Sequence, residues 1–262
     1  MFSKKIKILT INLSGIISYE DGGLISKKRN VLDIIDNLHS IVAHDSKYRA
    51  VILRINSPGG TAAASEELSI AIKSVRNTGI PIVASIGDMA ASGAYMAASA
   101  CTRIFANKMS MVGSIGTIMQ IPDLTELSKK IGARYNIIKS GKFKDIGNIT
   151  REMTHEEREY LELLTQKSHE EFIRIVEKNR DIINSENLYD GRLFDAHTAR
   201  KFNLIDEFGT YYDAVRYICK KLEVEEKDIK IKDEEKSAGL LSTLLTKLST
   251  QFLSNSVPEL RA

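Results

Sequence analysis

Two short apolar runs constrain the fold of this chain more than any other feature. Ala50-Val51-Ile52-Leu53-Arg54-Ile55 and Pro81-Ile82-Val83-Ala84-Ser85-Ile86 show little in–out alternation. A strand with one wet face alternates, whereas a strand covered on both faces does not. Helical spacing surrounds these runs. Val31, Leu32, Ile35, Leu38 and Val42 precede the first, and Ala64, Leu68, Ala71, Ile72 and Val75 lie between the two, with Gly79 as a stop. Residues 5–13 read as a first strand, and 111–119 and 135–139 as further strands. Thr154-His155-Glu156-Glu157 has the capping-box form and predicts a long helix over 155–178. Two more helices are expected over 194–202 and 212–220. Strands alternating with helices indicate an α/β architecture with mostly parallel pairing.

Composition removes several classes of function. Hydrophobic residues are 43% and charged residues 27% of 262, as in an ordinary globular protein. The net charge of +3 is too weak to imply a nucleic-acid partner. Cys101 and Cys219 form no C-x-x-C pair, so reduced thiols and no structural zinc are expected; no cofactor is expected either. Residues 80–106 have the length of a membrane span. Asp88 and Arg103 interrupt them, and their Ala, Gly and Ser drive insertion poorly, so they read as a buried strand–turn–helix. The basic N-terminus leads into residues 6–17, where Lys7, Asn12 and Ser14 favour a strand over a targeting signal. One domain is expected over 1–222, then a charged, solvated linker over 223–237. An amphipathic extension over 238–262 would follow. Its stripe from Leu240 to Leu253 reads as a helix packed on the domain or a sister subunit. A membrane-surface helix is the alternative, although Lys247 alone gives it little grip on anionic lipid.

Three neighbourhoods carry candidate chemistry. Asn56-Ser57-Pro58-Gly59-Gly60 follows a buried strand, and its paired glycines permit positive φ and close backbone approach. Ala90-Ala91-Ser92-Gly93 follows the next strand. A serine on such a strand-to-helix turn exposes its hydroxyl, by the logic of a nucleophile elbow without the G-x-S-x-G pattern. Ser140-Gly141-Lys142-Phe143-Lys144-Asp145-Ile146-Gly147 follows Gly113-Ser114-Ile115-Gly116. A serine nucleophile needs a base, and no histidine lies between Ser92 and Thr154. A lysine serves if its pKa falls from about 10.4 by about 2–3 units. Lys139, Lys142 and Lys144 are rivals for that task. If the segment is a strand, Lys142 and Lys144 share a face, and geometry alone does not separate them.

The order and spacing of N-S-P-G-G, A-A-S-G, G-S-I-G, S-G-K-F-K-D-I-G and R-E-M-T-x-E-E-R resemble the signal peptide peptidase A family of Ser-Lys proteases. The later D-G-R-x-F and L-I-D-E-F-G segments look like that family's C-terminal part. The resemblance covers about residues 5–220. It implies a Clp-protease/crotonase-like fold, a repeated ββα spiral with mostly parallel sheets. It implies Ser92 as nucleophile, Lys144 as general base and Ser114 as the serine that orients the lysine. The amides of Gly59 or Gly60 and of Gly93 would form the oxyanion hole. Substrates would be cleaved signal peptides or other short or unfolded chains. An extended peptide would add as a strand near 57–61 and 114–117. Double-length relatives place serine and lysine in different halves, so a single-copy chain would join Ser92 of one subunit to Lys144 of its neighbour in a homo-oligomer. The family's usual N-terminal membrane anchor finds no counterpart, which points to a cytoplasmic protein with at most peripheral membrane contact. The proline usual after the lysine motif is replaced by Gly147-Asn148-Ile149-Thr150. A Ser-His-Asp Clp protease, a crotonase-like acyl-CoA enzyme and a silent oligomeric scaffold are the alternatives.

Overall fold

The structure, a computed structural model, describes residues 5–19, 30–43, 47–183 and 187–233. The stripe within 238–262 lies outside the described residues.

Strand β1 (Ile6–Ile17) is followed by helix α1 (Val31–Ala43), β2 (Tyr48–Gly60) and α2 (Ala62–Asn77). Then come β3 (Ile82–Ala91), α3 (Gly93–Ser99), β4 (Arg103–Ala106) and β5 (Met111–Gly113). After α4 (Thr125–Lys130) and α5 (His155–Asn179) the chain alternates through β6 (Leu193–Asp195), α6 (Ala196–Lys201), β7 (Glu207–Phe208) and α7 (Tyr211–Lys221). A 3-10 turn at Glu226–Asp228 leads into β8 (Ile229–Asp233).

The sheet order is β6-β5-β3-β2-β1-β8, with β4 and β7 branching from β3. All pairings among the described strands are parallel except β5 with β6. Strand β3 forks. Its Val83–Ile86 half pairs with β4, while Met89–Ala91 pairs with β5. The chain after β3 leaves from the end of the β5-paired half, beyond Ala91.

The continuous run in β2 has the two covered faces its composition requires. Val51, Leu53 and Ile55 join the larger core with α1, α2 and α3. Ala50 and Ile52 join a second core with Ala214, Val215, Ile218 and Cys219 of α7. Each large side chain so buried contributes roughly 1.5–3 kcal/mol. The first strand, expected over 5–13, runs on to Ile17 because Ile16 and Ile17 pair with Gly59 and Gly60.

The capping box of α5 forms as read. The Glu157 amide donates to Thr154 Oγ1 at 3.2 Å, and the Thr154 amide donates to Glu157 Oε2 at 2.9 Å. Two expectations differ. Residues 223–233, expected as the start of a solvated linker, reach the sheet as β8, parallel to β1 from Ile6↔Ile229 to Thr10↔Asp233. The charges of Lys230, Lys232 and Asp233 suit an edge strand, where polar side chains discourage further pairing. Residues 135–139, expected as a strand, are irregular, with Ile138 fully exposed. No strand among the described residues offers them a ladder.

Candidate active site

The turn between β3 and α3 places Ser92. Its backbone sits at φ 51°, ψ −125°, a region that costs a non-glycine residue about 1–3 kcal/mol. Ser92 stands at the N-cap of α3, yet its side chain makes no capping hydrogen bond. The hydroxyl is therefore not spent on the helix. The Ser92 amide is spent: it donates to the Gly113 carbonyl at 2.8 Å.

Three glycines bring the two turns together, and each is sterically required. A Cβ on Gly93 would overlap Ser65 Oγ. A Cβ on Gly60 would overlap the Ile17 carbonyl. Gly59 has φ +100°, and its Cβ would lie 2.7 Å from the Ala91 carbonyl oxygen and 2.8 Å from the Gly93 amide nitrogen. The Ser57–Gly60 backbone thus lies against the Ser92–Gly93 turn. The amide of Gly59 donates to Ser57 Oγ at 3.1 Å, so it is already engaged. The Ser57 hydroxyl in turn donates to the Gly15 carbonyl at 2.6 Å.

Ser114 also adopts positive φ, at 51°. Its amide donates to the Arg192 carbonyl at 2.8 Å, and Gly113 before it packs on the Phe194 ring. The D-G-R-x-F segment therefore fixes the serine after β5. The L-I-D-E-F-G segment buries Leu204 and Ile205, and Asp206 accepts from the Ile104 amide at 2.7 Å and from both terminal nitrogens of Arg180 at 3.0 and 3.1 Å.

Ser92 and Gly93 open into a mostly apolar cavity of about 480 Å³. Met96, Ile118, Phe172 and Ile175 line it, together with Glu66. A second cavity of about 560 Å³ shares Thr117, Ile118, Met119 and Thr165 with the first. The two flank the 117–119 segment. Among the described residues lining the Ser92 cavity there is no lysine and no histidine. The expected strand addition along 57–61 meets an occupied edge. Ser57 pairs with Ala90, Gly59 and Gly60 pair with β1, and the Thr61 amide donates to the Ile17 carbonyl at 2.9 Å. Residues 115–119 carry no strand ladder.

The lysine motif lies in the long connection over 114–153, whose only helix is α4, and none of residues 139–147 lines the Ser92 cavity. Lys139 pairs with Asp145, and Lys142 pairs with Glu156. Lys144 is exposed and its amine has no partner among the described residues. The ion pairs thus separate three lysines that the sequence left as rivals. No side-chain hydrogen bond joins Ser92, Ser114 and Lys144 within one chain. The cysteines offer no rival nucleophile, because both are buried and burial pushes the Cys101 thiol up to about 12. No group of three or more potential metal ligands occurs among the described residues.

Residues 74–225 match the model of peptidase family S49, a span that holds Ser92, Ser114 and Lys144. The chain belongs to peptidase family S49. A protein of Methanocaldococcus jannaschii named as a protease is 35% identical over 214 residues, 81% of this chain and 67% of its own. A protein of Synechocystis, also named as a protease, is 37% identical over 172 residues, 65% of this chain and 62% of its own. A chloroplastic serine protease of Arabidopsis thaliana is 32% identical over 208 residues, 78% of this chain and 30% of its own. The chain thus spans at most about two thirds of these relatives. The S49 assignment agrees with the signal peptide peptidase A resemblance and with its Clp-protease/crotonase-like fold, whose mostly parallel sheet is the one described above. Among the described residues no helix is long and apolar enough to cross a membrane.

Proposed function

We propose that this S49 chain is a serine endopeptidase of the signal peptide peptidase type, acting on cleaved signal peptides or short, unfolded chains. Its working site would join Ser92 of one copy to Lys144 of a neighbouring copy. The observation that carries this reading is that within one chain Lys144 neither bonds to Ser92 nor lines its cavity. Ser92 is strained, its side chain caps no helix, and no described lysine or histidine lines its cavity, while Lys144 is exposed and unpaired among the described residues.

In this reading the neutral Lys144 amine takes the proton from Ser92 Oγ as that oxygen attacks the peptide carbonyl. The tetrahedral oxyanion is held by the Gly60 and Gly93 amides, because the Gly59 amide is committed to Ser57. Each such donor is worth around 3 kcal/mol. Lys144 returns the proton to the departing amine, leaving an acyl-enzyme on Ser92. Water then attacks the ester, gives its proton to Lys144, and Ser92 regains it as the acid leaves. Ser114 would hold the amine in line.

A lysine base near neutrality must be desolvated, and Lys144 is exposed in the single chain. A second copy would cover it. The 114–153 connection and the first half of α5 support such a contact. Ile118 is 80% exposed, and Ile131, Tyr135, Ile138 and Leu163 are exposed as well. Exposed apolar side chains in this number suit an interaction surface. The two adjoining cavities suit an extended peptide with an apolar side chain beside Ser92.

The test is activity-based labelling of the full chain with a fluorophosphonate, followed by peptide mapping. Label on Ser92, lost in Lys144→Ala with the fold intact, is the expected result. Undiminished label or peptidase activity in folded Lys144→Ala overturns the dyad.

A further inference from the structure

The Lys144 turn is fixed by ions, and Arg151 is at their centre. Its Nε donates to Asp145 Oδ2 at 2.8 Å. One terminal nitrogen donates to Glu157 Oε2 at 2.8 Å and to the Glu152 carbonyl at 3.0 Å. The other donates to Glu157 Oε1 at 2.5 Å and to the Asp145 carbonyl at 3.2 Å. These five bonds match the five N–H donors of a guanidinium. Glu157 is itself fixed, since its Oε2 also accepts the Thr154 amide in the capping box of α5. Its side chain is only 4% exposed and that of Asp145 only 11%. Lys139 completes the ring by pairing with Asp145 and donating to the Lys142 carbonyl at 3.0 Å. The Lys144 amide closes the turn on the Gly141 carbonyl at 3.1 Å.

This arrangement bears on the residue that follows Lys144. Asp145 is the carboxylate nearest to it in sequence. A carboxylate paired to a lysine holds the proton on it and opposes a base. Here both Asp145 oxygens are taken by Arg151 and Lys139, and its carboxyl is held well below the usual range by those bonds, Arg151 foremost. The other charges around the turn, Lys142 with Glu156 and Arg151 with Glu157, are matched in pairs. Phe143 adds a ring contact with Tyr160 at 5.4 Å.

We propose that Arg151 is a positioning residue for Lys144: it pins the lysine turn to the start of α5 and sequesters Asp145, so that Asp145 does not pair with the Lys144 amine. The proposal rests on the reading of Lys144 as the base. It goes beyond that reading by assigning a task to a residue that bonds to neither Ser92 nor the Lys144 amine and does not line the Ser92 cavity.

The experiment measures pH–rate profiles on the assembled full-length protein, with Lys144→Ala as the control for the base itself. Arg151→Ala is expected to lower kcat at pH 7 about tenfold or more, with KM within about twofold. The acid limb is expected to rise by about one pH unit, the shift that corresponds to a tenfold change in proton affinity. Activity should therefore recover towards alkaline pH. Adding Asp145→Asn to Arg151→Ala removes the competing carboxylate and should return the acid limb towards its original position. Should Arg151→Ala fail to fold, Arg151→Lys keeps the charge without the fork and should show a smaller shift of the same sign. An unmoved acid limb in the folded variant overturns the proposal, as does a loss that is uniform across pH or unrelieved by Asp145→Asn. Activity in Lys144→Ala would instead remove the base reading on which the proposal stands.

Discussion

The Ser92 amide donates to the Gly113 carbonyl at 2.8 Å, so the turn that presents one positive-φ serine is bonded to the residue before the other, Ser114. The bond extends the β3–β5 ladder one step past its last pair, Ala91 with Gly113. It also removes the Ser92 amide from the donors available to an oxyanion, which leaves that task to neighbouring backbone.

The strain at Ser92 predicts a trade between stability and activity. Ser92→Gly removes the Cβ that makes φ 51° costly. Part of the relief is offset by the extra freedom of glycine in the unfolded chain. The variant should be inactive and more stable by about 1 kcal/mol. That corresponds to a rise in Tm of about 2–4 °C for a domain of this size. Thermal melts of wild type and variant check it, and an unchanged or lower Tm would show that the turn stores no strain.

Gly93 is held to its size by Ser65. Gly93→Ala drives a methyl group into Ser65 Oγ and should cost about 1–3 kcal/mol. Ser65→Ala removes that oxygen, so the double variant should recover at least about 0.5 kcal/mol relative to additivity. Denaturant unfolding of the four proteins measures the coupling, and simple additivity would mean the overlap is relieved elsewhere.

A site shared between copies predicts complementation. Ser92→Ala and Lys144→Ala should each be inactive alone. Unfolded together and reassembled in equal amounts, they should regain about one quarter of wild-type activity, the chance that an intact serine meets an intact lysine in a random pairing. A mixture as inactive as its parents would place both groups in one chain.

The ionic turn predicts a defined acid response. Arg151 bonds foremost, with the Thr154 amide, hold the Glu157 carboxyl down to about 2, against an ordinary 4.5. A depressed carboxyl contributes stability that is complete above its unfolded value and lost as pH falls towards its folded value. The contribution is therefore present above about pH 4.5 and declines towards pH 2. In Arg151→Ala the Glu157 midpoint should rise towards about 4.3, and the fall in stability between pH 4.5 and 2 should shrink. Carboxyl NMR titration of Glu157 checks the midpoint, and a value still near 2 without the guanidinium would assign the shift to the capping box.

Much of the sheet was legible because its signals are local. The runs in β2 and β3 read as doubly covered strands, and the capping box marked the start of α5 to the residue. The strand β8 was missed although Ile229 and Ile231 alternate with Lys230 and Lys232, because the surrounding charge density outweighed a short period-two pattern. The 135–139 segment misled for the opposite reason. Tyr135, Ile137 and Ile138 have strand-forming side chains, but all three are exposed in the single chain. Apolar patterning reports that a residue is to be covered and does not report by what.

Local sequence alone sets the turns. The paired Gly59 and Gly60 permit a tight turn, Ser92 follows a run of small residues on a strand end, and no histidine lies between Ser92 and Thr154. Tertiary structure decided how those groups are used. It committed the Gly59 amide to Ser57, gave Lys139 and Lys142 carboxylate partners while leaving Lys144 without one among the described residues, and kept every described lysine out of the Ser92 cavity. The physical reason is range. Backbone conformation follows from a residue and its immediate neighbours, whereas the partner of a charge or an amide is chosen among groups that only folding brings together.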